Sequence, residues 1–318
     1  MVRRLLKDPS WVDAELAEAL QLYNLRVLPD QLIRVVDREH KQELLSGAID
    51  ERVASELAAR GGAEMKAKLK QLEQPYANAW LRCAPNEHIG MKMTNEEVKA
   101  AVAFVLSVPL SDRQLECPFC PGEILDPHHN HAVTCKRGNH RIQRHDQLRD
   151  EIAEAMRMTG MTVATEVKLP FTDLRPGDVF VTRFAGGRDR MLDVAVKSPL
   201  QAAYLARSAN NASAMFTDAE AKKRQRNEVE QKCRAQQKDF QPLIASTYGA
   251  WAPAARSVFG FVAAKAVERR PVPGGRPQVL EKIYRRLGFI LMRANARAIL
   301  DRLPISCFIG ARRRFDLP

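Results

Sequence analysis

Residues 177–198 read GDVFVTRFAGGRDRMLDVAVKS, two short β-prone runs around a glycine-rich turn. Side chains alternate along a strand, so Val179 and Val181 point one way and Asp178 and Phe180 the other. In the second run Leu192, Val194 and Val196 oppose Asp193, Ala195 and Lys197. Each strand therefore presents one carboxylate in an otherwise apolar context. The short AGGRD turn can bring Asp178 and Asp193 together, and two adjacent carboxylates repel unless a cation joins them. All-oxygen ligation favours Mg²⁺ or Mn²⁺. A carboxylate pair holding such an ion is the basic equipment for phosphodiester hydrolysis. A lysine would complete it. Lys197 shares a face with Asp193 but lies four residues, roughly 13 Å, along the strand. Lys223, on the polar segment after the hairpin, is the better candidate.

Outward from this pair, MTVATEVKL (161–169) reads as a preceding strand, so three consecutive strands of one sheet are expected. Before it, residues 141–160 place Ile142, His145, Leu148, Ile152 and Met156 on one helical face ending at Gly160. After the hairpin, residues 217–236 are polar and helical, and DFQPLIASTYGAW (239–251) reads as a further buried strand. The Pro/Gly-rich break RRPVPGGRP (269–277) precedes a last helix over 279–303. Upstream, residues 11–72 read as helices, and Thr94 with Glu97 forms a capping-box pattern opening another over 94–110. The class predicted is α+β, a helical N-terminal region leading to a mixed sheet flanked by helices.

Between these parts, Cys117-x2-Cys120 and His131-x3-Cys135 supply three thiolates and an imidazole, the set that closes a tetrahedral structural Zn²⁺ site. Pro118, Pro121 and Gly122 favour the tight turn that points both thiolates at one ion. The segment between the two ligand pairs is too polar to fold by burial alone. His128 and His129 also fall within reach, and His131 is our choice of fourth ligand. His140 reads as a solvent-facing residue. The six cysteines do not form a disulfide pattern, since Cys83, Cys233 and Cys307 are scattered.

The chain has 318 residues, 45% of them apolar, enough for a sizeable core, and a net charge of +12. That excess is one-sided: residues 201–318 hold 22 Lys and Arg against 9 Asp and Glu. A concentrated basic region points to a polyanion, because each phosphate neutralised releases counterions. Neither a membrane span nor a signal peptide is evident, which leaves cytosol or nucleus as the expectation.

In order, the segments CPFC, HNHAVTCK, RHDQLRD, RPGDVFV and LDVAVKSPL resemble the C-terminal region of non-LTR retrotransposon proteins that carry a restriction-like endonuclease. The likeness runs from about ELLSGAIDERV to RANARAILDRLP. It implies a PD-(D/E)XK fold behind a zinc knuckle, acting as a Mg²⁺-dependent DNA endonuclease in the nucleus. DNA is the implied partner, together with element RNA and a reverse transcriptase on the same or another chain. The family's two catalytic aspartates fall on Asp178 and Asp193, and its helix pattern E-x-R-K-x3-N on Glu220, Lys222, Lys223 and Asn227. Lys223 is thereby the catalytic-type lysine, with Lys222 beside it toward nucleic acid, and Glu166 stands where the family offers a third metal oxygen. The family's RHN-x-L-R-D element falls on Arg144, His145 and Arg149, which are implied to meet DNA. The implied layout is a helical region 1–112, a knuckle 113–140, a nuclease domain 141–265 and a basic helical tail 266–318. Three positions depart from the pattern: Gly177 replaces the proline of the general motif, Ala195 a lysine, and Ser246 a glutamate. The alternative that Ser246 raises is a nucleic-acid-binding zinc module whose active site has decayed.

Overall fold

The computed structural model describes residues 21, 23–25, 42–126, 128–170 and 173–304. The helices expected over 11–41, and whatever belongs to 305–318, lie outside the described residues. Helices α1 (Gln42–Arg60) and α2 (Gly62–Leu72) are followed by α3 (Asn95–Leu106). The start of α3 is fixed as its sequence dictates: Thr94 accepts from the Glu97 N–H at 3.2 Å and Glu97 from the Thr94 N–H at 2.9 Å. Next come α4 (Asn130–Thr134) in the knuckle and α5 (His140–Arg157). Leu148, Ile152 and Met156 of α5 are buried as the periodicity predicts, whereas Ile142 is exposed. The chain leaves α5 at Gly160, whose φ of +86° is the left-handed turn that glycine permits.

Among the described residues the sheet has four strands: β1 (Val163–Thr165), β2 (Val179–Val181), β3 (Asp189–Lys197) and β4 (Lys238–Ser246), in that spatial order. The first three pair antiparallel and β4 runs parallel to β3. A parallel neighbour needs a long crossover. Here it is helical: α6 (Leu205–Ser208), α7 (Ala214–Gln225) and α8 (Val229–Ala235). The single helix expected over 217–236 is broken where Asn227 and Glu228 both take positive φ. β1 is shorter than its sequence suggested, because Glu166, at φ +55°, turns the chain out of the strand.

Alternation sorts the strand residues onto two faces. Val179, Val181, Leu192 and Val194 enter the principal core with α5, α7 and the helix α9 (Pro253–Arg269). Met191 and the partly buried Phe180 join a smaller cluster with Val229, Cys233 and Phe240 under α8. Ala195 departs from strict alternation and belongs to the principal core.

The last helix, α10 (Gly275–Leu300), buries the apolar positions that recur every three and four residues along it. Tyr284, Leu287, Ile290 and Leu291 fill the principal core, while Met292, Ala296 and Ile299 pack with Phe104 of α3, Val133 of α4 and Tyr248. Its basic residues occupy the opposite stripe. Among the described residues no helix is long and apolar enough to cross a membrane.

Candidate active site and metal centre

The knuckle is a tight hairpin followed by one turn of helix. An isolated bridge joins Glu116 to Ile124, Cys120 N–H donates to the Cys117 carbonyl at 3.1 Å, and Gly122 supplies a φ of +81°. Asp126 caps the helical turn, accepting backbone N–H bonds from His128 at 3.1 Å, Asn130 at 2.9 Å and His131 at 2.5 Å. The ligand atoms of Cys117, Cys120, His131 and Cys135 all lie within 4.8 Å of one another. Tetrahedral zinc with sulfur at roughly 2.3 Å spaces its ligands by about 3.8 Å, so this cluster could hold such an ion. His131 Nε2 is buried without a hydrogen-bond partner, which fits a nitrogen aimed at a metal. His128 and His129 face away, toward the Ser107 and Val108 carbonyls at 3.1 and 3.2 Å. His140, expected to face solvent, instead meets Asp301 at 2.6 Å.

Two arginines fasten the knuckle to the rest of the protein. Arg302 donates to the Arg137 carbonyl at 3.1 Å and lies 4.7 Å over the Phe119 ring between the first two cysteines. Arg144 is 4% exposed and donates to the Val133 carbonyl at 3.1 Å and Asn295 Oδ1 at 2.6 Å. The expectation that Arg144 contacts a DNA phosphate is corrected here. A guanidinium turned into the interior and bonded to α4 and α10 locks the knuckle in place and presents nothing to a ligand outside.

The aspartates meet through the register of β2 on β3. The paired register ends with Val179 opposite Leu192, and Asp178 and Asp193 are the next residue on each strand, close enough for their carboxyls to interact. Asp178 N–H donates to the Leu192 carbonyl at 2.8 Å, and Asp178 Oδ2 accepts from Val194 N–H at 2.6 Å. This crossing explains Gly177: a Cβ there would stand 2.7 Å from the Leu192 carbonyl oxygen, so the close approach of the strands requires glycine. Lys223 reaches in from α7, with its Nζ 2.9 Å from Asp193 Oδ1 and 2.7 Å from Oδ2. From α5, His145 Nε2 lies 3.0 Å from Asp178 Oδ2 while its Nδ1 lies 3.1 Å from Asp146 Oδ1.

The electrostatics arise from this packing. The hydrogen bond to Asp178, reinforced by Asp146, lifts the His145 imidazole to about 9. Burial opposes ionisation of Asp178, but the bond and charge of His145 outweigh it and hold the carboxyl below its usual range. Burial also pushes Asp193 up, with Asp178 adding to the rise and Lys223 opposing it. The result is two neighbouring carboxylates with unequal proton affinities, flanked by His145 and Lys223.

The other residues singled out in the sequence fall at different distances from this centre. Glu166 N–H donates to the Asp178 carbonyl at 3.1 Å, but its carboxylate pairs with Arg149 at 2.9 Å and Arg175 at 3.6 Å. Arg149 is held by Asp146 and Asp150 as well, at 3.2 and 2.8 Å, so three carboxylates neutralise it. Lys222 is exposed, its ammonium 5.1 Å from the Tyr204 ring. Ser246 is fully buried and accepts from the Tyr248 and Ala250 N–H groups at 3.3 and 3.1 Å, bracing the turn after β4. His145 is the member that sequence reading placed differently, on the DNA surface. Its tie to Asp178 spans 33 residues, and only the RHD adjacency to Asp146 hinted at a polar role. Neither a protein-family model nor a curated protein matches this chain.

Proposed function

We propose that this protein is a divalent-metal-dependent DNA endonuclease of the restriction-like type, similar to those at the end of non-LTR retrotransposon proteins, with a zinc knuckle beside its catalytic sheet. The observation that carries this reading is the neighbouring pair Asp178 and Asp193 at the end of the β2–β3 pairing, with Lys223 bonded to the second of them. When bound between these carboxylates, Mg²⁺ or Mn²⁺ would supply electrostatic stabilisation to the charge developing on a phosphoryl oxygen. The chain's own residues supply position. His145 and the Val194 N–H fix Asp178 Oδ2, and Asp178 and Asp193 would hold the ion. Lys223 is assigned to orienting the attacking water and stabilising the charge that develops as it loses its proton to solvent. Water then adds to phosphorus as the bridging P–O bond breaks, and the leaving oxygen takes a proton. Ser246 does not weigh against activity, since it serves the turn after β4.

The test is nicking of supercoiled plasmid by purified, zinc-loaded protein. Mg²⁺ or Mn²⁺ is expected to support nicking and Ca²⁺ to support retention of DNA without it. Retention of DNA with no cleavage under any of these ions would leave the zinc-module alternative as the function.

A further inference from the structure

Beyond Asp193, β3 carries Lys197 four residues on, and the end of the strand is tied down at both sides of that lysine's backbone. Its carbonyl accepts from Thr247 N–H at 2.9 Å, and the next residue, Ser198, bonds through its hydroxyl to Asn130 Oδ1 of the knuckle at 2.9 Å. Lys197 is therefore held between the aspartate pair and the metal knuckle. On α5 a parallel step occurs: His145 touches Asp178, and Arg141, one helical turn earlier, lies on the same side and is exposed. From α7 comes Lys222, adjacent to the lysine on Asp193.

These three cations differ from the paired basic residues around them. Arg224 on the same helix pairs with Glu230 at 2.9 Å, Arg149 with three carboxylates, and Arg286 with Glu151. No carboxylate among the described residues forms an ion pair with Lys197, Arg141 or Lys222. Burial lowers the pKa of Lys197, and Lys223, Arg141 and Lys222 lower it further, with Asp193 opposing. Cations gathered without counter-charges repel one another, and an arriving anion relieves the repulsion. Four strand residues span roughly 13 Å, beyond the coordination reach of an ion held by the aspartates, so an anion here is not the phosphate under attack.

We propose that Lys197, Arg141 and Lys222 form a seat for a DNA backbone phosphate separate from the one hydrolysed at Asp178 and Asp193. The identity of the ligand as DNA rests on the endonuclease reading. The seat sets the direction in which the strand crosses the site, running from the aspartates toward the knuckle, and it assigns Lys197 and Arg141 to substrate positioning.

The experiment is equilibrium binding of a fluorescent DNA duplex to the full chain over a range of salt, without divalent metal. Lys197→Met and Arg141→Met are each expected to weaken binding on the order of three- to tenfold at low salt and to reduce the salt slope by about one. Lys197→Arg is expected to keep the wild-type slope. Zinc content and thermal midpoint qualify each variant, and exposed Arg141 carries the test if Lys197→Met fails to fold. Unchanged slopes in both Met variants would overturn the seat, as would a loss confined to an RNA duplex of the same length. Because nothing is cleaved in this assay, a wild type that never nicks plasmid would sink the endonuclease reading while the slopes still decide the seat. Unchanged slopes with intact nicking would sink the seat alone.

Discussion

The Cys135→Ser variant is expected to bind no zinc and to lose more than about 4 kcal/mol of stability. The knuckle is not an appendage that can melt by itself. Val133 and Ala132 of α4 pack against Phe104, Tyr248, Met292 and Ala296, so the metal cluster anchors one end of the second hydrophobic core. Arg144 donates to the Val133 carbonyl, and Arg302 to that of Arg137. With the ion gone, these guanidiniums remain buried beside a loop that no longer holds its shape, and buried cations without fixed partners are destabilising. Metal analysis and thermal unfolding check the prediction. A wild type that purifies without zinc, together with an unchanged midpoint in the variant, would contradict it.

Lys223→Ala is expected to slow plasmid nicking by roughly 10²- to 10⁴-fold, about 3–5 kcal/mol of barrier, with DNA retention nearly unchanged. The contact with both oxygens of Asp193 admits a plainer role, that of a counter-ion for a buried carboxylate. The two roles separate in the measurement. A counter-ion alone would leave nicking largely intact and show its loss as a lowered thermal midpoint, because Asp193 would be stranded in an apolar setting. Lys223→Arg discriminates further: arginine preserves the charge, but its planar fork cannot place a donor where the compact ammonium does, so nicking is expected to fall while the thermal midpoint holds.

Much of this arrangement is legible in the sequence because its determinants are local. The knuckle ligands lie within 19 residues and their spacing is metal chemistry, so the cysteines need no tertiary information. The aspartates are legible through two-residue alternation, and the short turn between their strands fixes which residues can face each other. Gly177 looks like a departure from a motif until the 2.7 Å approach to Leu192 shows what a side chain would strike. Other features depend on partners far along the chain. Arg144 reads as a surface cation at a helix start, but the residue that buries it, Asn295, is 151 positions away. The apolar stripe of the last helix is legible in its spacing, but its partners in the two cores, Phe104 and Leu148 among them, lie far along the chain. Glu166 illustrates a third limit: its position beside Asp178 is set by the strand order, but the engagement of its carboxylate by Arg149 and Arg175 depends on helix packing that periodicity does not encode.

The central claim is that Asp178 and Asp193 together form the catalytic metal pocket, and isosteric removal of charge tests it with the least disturbance. Plasmid nicking by Asp178→Asn and Asp193→Asn, measured with Mg²⁺ beside a gel-retention assay on the same preparations, is expected to fall below about one thousandth of wild type with retention undiminished. Nicking by both variants at near wild-type rates would contradict the account.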